Sequence, residues 1–159
     1  MTLELPGEAD YRAYYLENLT RAPLPLRTSV GNAPVYFDRH RFDHAFFEST
    51  NRDGVKNQFS LPRARHMDEI GAILASSTAD RRAGWDSKRR THDQTSCVSI
   101  AVDDFVVIVR LGLTNTGYLR GQFITCFVAD NSIGKIRTAP AWNEARCVQI
   151  LVRRKENGR

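Results

Sequence analysis

Lysine is scarce in this sequence: of its 23 basic side chains only four are lysine, Lys56, Lys88, Lys135 and Lys155, and the rest are arginine. Cysteine is scarce too. Cys97, Cys126 and Cys147 make an odd number with no CxxC or CxxH spacing, which argues against a disulfide framework or a zinc module and fits reduced thiols in a cytosolic setting. Long apolar runs are missing. The longest, Phe105 to Val109, is far short of the roughly 20 residues that a membrane helix needs, and the acidic start MTLELPGEAD does not read as a signal peptide. A cytoplasmic protein with no membrane association is expected. No Walker loop, GxGxxG, GxSxG, HExxH or EF-hand spacing occurs, so neither a nucleotide cofactor nor a metal is expected.

What is present is an uneven charge. The net charge of +5 divides into −2 over residues 1–80, with 9 basic and 11 acidic side chains, and +7 over residues 81–159, with 14 and 7. Arginine's planar fork suits two-point contact with phosphate better than a point ammonium does, so a polyanionic partner fits the basic half. Solubilising surface is the plainer explanation of the same charge.

The length of 159 residues suggests one domain, with about two thirds of the unfolded-chain surface buried. Residues 1–34 read as a helix and a connector. In the helix, Glu8 to Arg21, the spacing of Tyr11, Tyr15 and Leu19 makes an apolar stripe, and Pro23 and Pro25 end it. Residues 35–94 read as a helical half with a basic loop. Val35 to Phe37 is a short strand candidate, and Phe42, Ala45, Phe46 and Ser49 fall on one face of a helix of about three turns over Arg39 to Ser49. After the turn Asn51-Arg52-Asp53-Gly54, Ser60 can cap a helix with Pro62 in its first turn and Met67, Ile70 and Leu74 as its buried stripe. Residues Asp80 to Gln94 are polar and aperiodic, as in a long loop.

From Thr95 the period changes to two. Val98 to Val102 and Phe105 to Leu111 read as a hairpin about Asp103-Asp104, and Thr114 to Gly117 as a turn. Gly121 to Ala129 is the next strand, Asp130 to Gly134 a loop, and Arg146 to Arg153 a fourth strand. Residues 95–159 are thus expected to form a four-stranded antiparallel sheet with the N-terminal helices packed on one face, an α+β fold whose other face is free for solvent or a ligand.

Among groups able to do chemistry, His44 sits in an aromatic cluster, and Glu48 one helical turn later could orient it. The plainer alternative is a hydrogen-bonded core histidine. A metal held by His44 and Glu48 lacks a third ligand. Arg63 and His66 are neighbours on one helix face, where an arginine can hold a phosphate or simply be solvated. Arg110 interrupts the apolar run VVIVRLG, and Thr125 lies between Ile124 and Cys126 on a strand that otherwise reads as core, needing no function to be there. The loop RRAGWDSKRR interleaves Trp85 with Lys88, Arg89 and Arg90, the mixture of charge and stacking surface that single-stranded nucleic acid takes; most charged loops are only solvated.

Three segments in this order, FDHAFFES with His44, FSLPRARHMDEIGAIL with Arg63, and GQFITCFVADNSIGKI with Thr125, resemble the BECR ribonuclease superfamily (barnase, EndoU, colicin-type tRNases and RelE-like toxins), and especially its phage-associated branch. The likeness covers roughly Tyr36 to Ile136. It implies metal-independent RNA cleavage, in which the 2′-hydroxyl attacks the adjacent phosphorus and leaves a 2′,3′-cyclic phosphate. It casts His44 as general acid or base, Arg63 as phosphate clamp and Thr125 as a phosphate hydrogen-bond donor, with His66 or Arg110 assisting, and predicts that His44, Arg63 and Thr125 converge within hydrogen-bond reach of one phosphate, failing if they lie far apart. Arg110, Arg120, Trp85, Lys88, Arg89 and Arg90 would then bind RNA. It further implies a toxin-like role on cellular RNA, tRNA included, restrained by an immunity or antitoxin protein. The family's EndoU-type lysine has no counterpart inside the three segments apart from Lys135, so arginine would have to stand in. A non-catalytic RNA-binding or adaptor domain using the same basic sheet face is the alternative, and it predicts a buried, fully satisfied His44.

Overall fold

A computed structural model describes residues 2–51, 53–129 and 132–157. The expected turn residue Arg52 and the expected loop residues Asp130 and Asn131 lie outside them, as do the chain-end residues Met1, Gly158 and Arg159.

Helix α1 (Glu8–Asn18) follows the spacing of its apolar stripe, with Tyr11, Tyr15 and Leu19 buried. The proline-rich stretch after it is not a plain connector. It forms a hairpin of β1 (Leu24–Thr28) and β2 (Gly31–Tyr36), and the prolines are accommodated because Pro25 and Pro34 face each other and β1 is an outer strand, where a missing N–H breaks no inner ladder. A 3-10 turn (Arg39–Arg41) then leads into α2 (Phe42–Ala45), a single turn rather than the expected three. The chain next enters a two-stranded ribbon of β3 (Phe47–Glu48) and β4 (Gln58–Phe59). The aromatic residues that suggested a helical face are buried because this segment folds back on α1, where Tyr15 packs edge-on against Phe42 and Phe46 at 5.7 and 5.8 Å.

Ser60 caps α3 (Leu61–Ala64), its hydroxyl accepting from the Arg63 N–H, and Pro62 lies in the first turn. A 3-10 turn (Met67–Glu69) separates α3 from α4 (Ile70–Ala75), and Met67, Ile70 and Leu74 are fully buried.

The expected loop of residues 80–94 is instead a hairpin. Strand β5 (Asp80–Asp86) pairs with both ends of β6 (Thr91–Val102), residues 80–83 with 98–101 and residues 84–86 with 91–93, and the irregularity between Ala83 and Gly84 shifts the register and obscures the two-residue period in the sequence. Strands β7 (Phe105–Leu113) and β8 (Leu119–Val128) complete the sheet, with the turn at Asp103 taking a left-handed φ of 55°. The sheet is therefore six-stranded and mixed, in the order β1-β2-β8-β7-β6-β5, with β2 and β8 parallel and the other pairs antiparallel. It is not the four-stranded antiparallel sheet expected.

After β8 come α5 (Ile133–Arg137) and α6 (Glu144–Asn157). The expected fourth strand, Arg146 to Arg153, is part of α6. Cys147, Val148 and Leu151, at helical spacing, turn onto the core while Arg146, Arg153 and Arg154 stay in water. The main core runs from Tyr11 to Cys147 between the sheet and helices α1 to α4 and α6, and a small second cluster on the opposite face holds Ala101, Val106 and Ala129 beneath Ile133 and Ile136 of α5. Among the described residues no helix is long and apolar enough to cross a membrane.

Candidate functional site

Helix α5 covers only one end of the sheet's second face. In β6 to β8, Cys97, Arg110 and Gln122 lie in one cross-strand row, and Ser99, Ile108 and Thr125 in the next. Arg110 is exposed and, among the described residues, makes no hydrogen bond or ion pair. Beside Gln122 on the neighbouring strand is Tyr36, over whose ring Arg120 lies at 4.7 Å. A cleft of about 380 Å³ opens here, lined by Asp38, His40, Arg41, Arg110, Gln122, Phe123 and Ile124.

At its far end this cleft meets the free edge of β8. Strand β2 pairs with β8 only at Gly121 and Gln122, and then the chain turns away. Tyr15 Oη donates to the Asp38 carbonyl at 2.6 Å, and the Asp38 carboxylate accepts from the His40 N–H at 2.8 Å, which starts the 3-10 turn. Arg41 Nε then donates to the Ile124 carbonyl at 2.7 Å. Next comes α2 with His44. Its carboxyl end is held by Arg63, whose Nη1 donates to the carbonyls of Ala45 and Phe47 at 3.1 and 3.3 Å. Both hydrogens of that nitrogen are used, and Nη2 and Nε make no hydrogen bond among the described residues.

His44 is half-buried and, among the described residues, has no hydrogen-bond partner. Burial first, and then the fields of Arg41, Lys56 and Arg63, hold its imidazole below the ordinary histidine value. Lys56 is lowered as well, by burial and then by Arg63, with Glu48 opposing. An imidazole disfavoured as a cation thus lies in the fields of three cationic side chains.

The other sequence-predicted residues fall into separate groups. Thr125 pairs with Ile108 on the open face, whereas Arg63 acts on Cys126 from the helical side, so the backbone of β8 runs between them and Thr125 does not converge with Arg63 on one phosphate as expected. His66 is turned away: Nδ1 is 2.9 Å from Glu69 Oε2 and its ring stacks on Phe105 at 4.7 Å. Glu48 does not follow His44 along a helix; it lies in β3 opposite Gln58, and its charge bears on Lys56. Trp85 projects from β5, 56% exposed, with its ring edge-to-face to His92 at 5.1 Å. Lys88, Arg89 and Arg90 are exposed at the β5–β6 turn, where the Asp86 carboxylate accepts from the N–H groups of Lys88 and Arg89 and Arg90 takes a φ of 55°. Among the described residues no three His, Cys, Asp or Glu side chains lie together as a metal-binding group.

Sequence reasoning missed Arg41, Lys56, Gln122 and His92. Lys56 carried a signal, being the only lysine in the first half of the chain and close behind the Gly54 turn. The arginine excess also proves to have a partly structural cause. Arg27, Arg41, Arg63, Arg81, Arg82 and Arg137 all donate to main-chain carbonyls at strand edges, turns and the ends of short helices.

Comparison with known proteins finds no matching family model, no similar curated protein and no similar solved structure.

Proposed function

We propose that this protein is a metal-independent endoribonuclease, toxin-like in its action on cellular RNA, tRNA included. The observation that carries the reading is His44, half-buried, without a hydrogen-bond partner among the described residues and within the fields of Arg41, Lys56 and Arg63. A histidine kept only for packing would be buried and satisfied. A base poised for work is unprotonated and open to its substrate.

In this reaction the ribose 2′-hydroxyl gives its proton to the neutral imidazole of His44, and the 2′-oxygen forms a bond to the adjacent phosphorus. As negative charge grows on the phosphoryl oxygens, Arg41 and the uncommitted edge of Arg63 offset it. The bond from phosphorus to the 5′-oxygen then breaks, and that oxygen takes a proton from Lys56, the one cation of the three that can readily lose one. The products are a 2′,3′-cyclic phosphate and a 5′-hydroxyl. DNA, which lacks the nucleophile, is not cut. Arg110, Arg120 and Gln122 hold the strand on the open face, where Thr125 meets a neighbouring phosphate and not the one that Arg63 contacts. A protein that restrains the enzyme by covering this face would be acidic.

The test is incubation of the purified protein with total RNA and tRNA in EDTA, beside His44→Gln, with the new ends mapped. Cleavage to cyclic-phosphate ends that disappears in the variant is expected. RNA that is bound but remains intact overturns the catalytic reading and leaves a non-catalytic RNA-binding domain.

A further inference from the structure

A second cleft, of about 340 Å³, lies on the same sheet face, between the β5–β6 hairpin and α5. Its walls include Trp85, His92 and Ser99 from the hairpin and Lys135, Ile136 and Thr138 from α5 and the residue after it. The volume is at the low end of the range that holds small ligands, about 300–1,000 Å³.

Three features set this cleft apart from ordinary surface. Trp85 is 56% exposed, although a side chain of that size usually buries its ring in the core or in a partner. The ring is also held in place: it meets the edge of His92 at 73°, and its backbone is fixed in the paired row Trp85–His92 next to the register shift. Finally, the lining mixes apolar side chains with an imidazole, an ammonium and hydroxyls. The Lys135 ammonium is exposed and makes no hydrogen bond or ion pair among the described residues, whereas the Thr138 hydroxyl is already committed to the Lys135 carbonyl at 2.6 Å. An apolar slot with a fixed aromatic wall, an imidazole and a free ammonium is suited to a planar, polar-edged ring attached to an anionic chain. An alkyl ligand would leave the ammonium and imidazole without a role.

Its position points the same way. Ser99 is in β6, in the row that continues through Ile108 to Thr125, and Gln122 of the first cleft is in β8, two strand spacings or roughly 10 Å away, with Trp85 of β5 one spacing further, roughly 14 Å. A short length of extended single strand, laid across the strands, spans that distance. We infer that the Trp85–His92 cleft is a nucleobase subsite that takes one unpaired base of single-stranded RNA, while Arg110 and Gln122 hold the backbone beside it. The inference rests on the RNA reading above but not on catalysis. Stacking on an aromatic ring accepts any base, so the subsite contributes affinity and excludes duplex, whose bases are already stacked.

The test uses a labelled single-stranded 2′-deoxyoligonucleotide, which can bind but cannot be cleaved through a 2′-oxygen, beside the same strand carrying abasic positions and the same strand annealed to its complement. Binding is followed by fluorescence anisotropy over a salt series for the wild type, Trp85→Ala, Trp85→Phe and Arg110→Ala, each checked for folding by circular dichroism. Trp85→Ala should weaken binding of the base-bearing strand about tenfold with its salt slope unchanged. Trp85→Phe should keep most of the affinity, and the abasic strand should not distinguish Trp85→Ala from wild type. Arg110→Ala should lower the salt slope instead. Equal affinity of wild type and Trp85→Ala for the base-bearing strand, or equal binding of abasic strand or duplex, overturns the subsite. The nuclease reading fails separately: Trp85-dependent stacking together with uncut RNA in the cleavage assay keeps the subsite and removes the catalysis.

Discussion

Arg41 Nε donates to the carbonyl of Ile124 at 2.7 Å, and Ile124 is the residue that a second register shift, between Ile108 and Val109 of β7, leaves unpaired between Phe123 and Thr125 of β8. An open strand edge is thereby closed by a side chain from the segment that carries His44. One bond thus sets the angle at which α2 meets the sheet and holds a cation beside the imidazole. Arg41→Met removes a charge-assisted bond worth about 1.5–3 kcal/mol. For a chain of this length that lowers the melting temperature by roughly 5 °C, which differential scanning fluorimetry would register. Arg41→Lys should destabilise similarly, because an ammonium at the end of a flexible stem does not reproduce the Nε geometry, yet it keeps the positive field on His44. RNA cleavage that survives in the lysine variant and is lost in the methionine variant assigns Arg41 an electrostatic part in the reaction.

The lowered pKa of His44 has a sign that can be worked out. With the folded value below the ordinary 6.5, the imidazole stays neutral in acid where an ordinary histidine is already charged. The rising limb of kcat/KM against pH is therefore expected below pH 6.5, and removal of a cation, as in Arg63→Met, should shift it to higher pH. Stability follows by linkage: the unfolded chain binds the proton more readily, so His44 adds a contribution that is fully present above the unfolded value and is lost as pH falls through 6.5 toward the folded one. In His44→Gln that part of the acid destabilisation should be absent, as read from urea midpoints over the same pH range. A wild-type limb above 6.5 overturns the assignment of His44 as base.

Local chemistry was legible in the sequence wherever one element decided it. Tyr11, Tyr15 and Leu19 on α1, the Ser60 cap with Pro62, and the turn at Asp103 were all readable because spacing or backbone geometry alone specifies them. The β5–β6 hairpin was not, since the register shift at Gly84 breaks its two-residue period and its outward residues are charged. Helix α6 was misread because Cys147, Val148 and Leu151 make a short apolar group that either period can accommodate. At the candidate site, His44 and Arg63 stood out by residue type. Arg41 and Lys56 join them only through the fold, by a bond to a strand 83 positions away and by a ribbon that brings residue 56 back to residue 48.

Gly84 is a residue whose lack of a side chain is required. A Cβ at this position would lie 2.6 Å from the Cβ of Cys97 and 2.9 Å from its carbonyl oxygen, across two strands that cannot separate without disturbing their pairing at the register shift. Gly84→Ala should cost about 1–3 kcal/mol by overpacking, measurable as a lower urea midpoint. Because Trp85 is the next residue, oligonucleotide binding should weaken as well. Gly112→Ala, with nothing within 4 Å of the new methyl, is the control and should change stability far less.

Arg63 allows scaffold and chemistry to be separated, because its two edges do different things. Nη1 binds the carbonyls of Ala45 and Phe47, while Nη2 and Nε are uncommitted among the described residues. Arg63→Met loses both the bonds and the charge and should lower stability by about 2–3 kcal/mol, with cleavage falling further than the unfolded fraction explains. Arg63→Lys keeps a charge but not the two-carbonyl grip, and one ammonium cannot both hold α2 and meet a phosphate edge. It should therefore remain destabilised and lose at least tenfold in kcat/KM. The double variant Arg63→Lys, His44→Gln should cleave no more slowly than His44→Gln alone, since groups that act on one transition state do not add. Full activity in a destabilised Arg63→Lys would make this arginine a scaffold only, and the charge on the phosphoryl oxygens would then fall to Arg41 and Lys56.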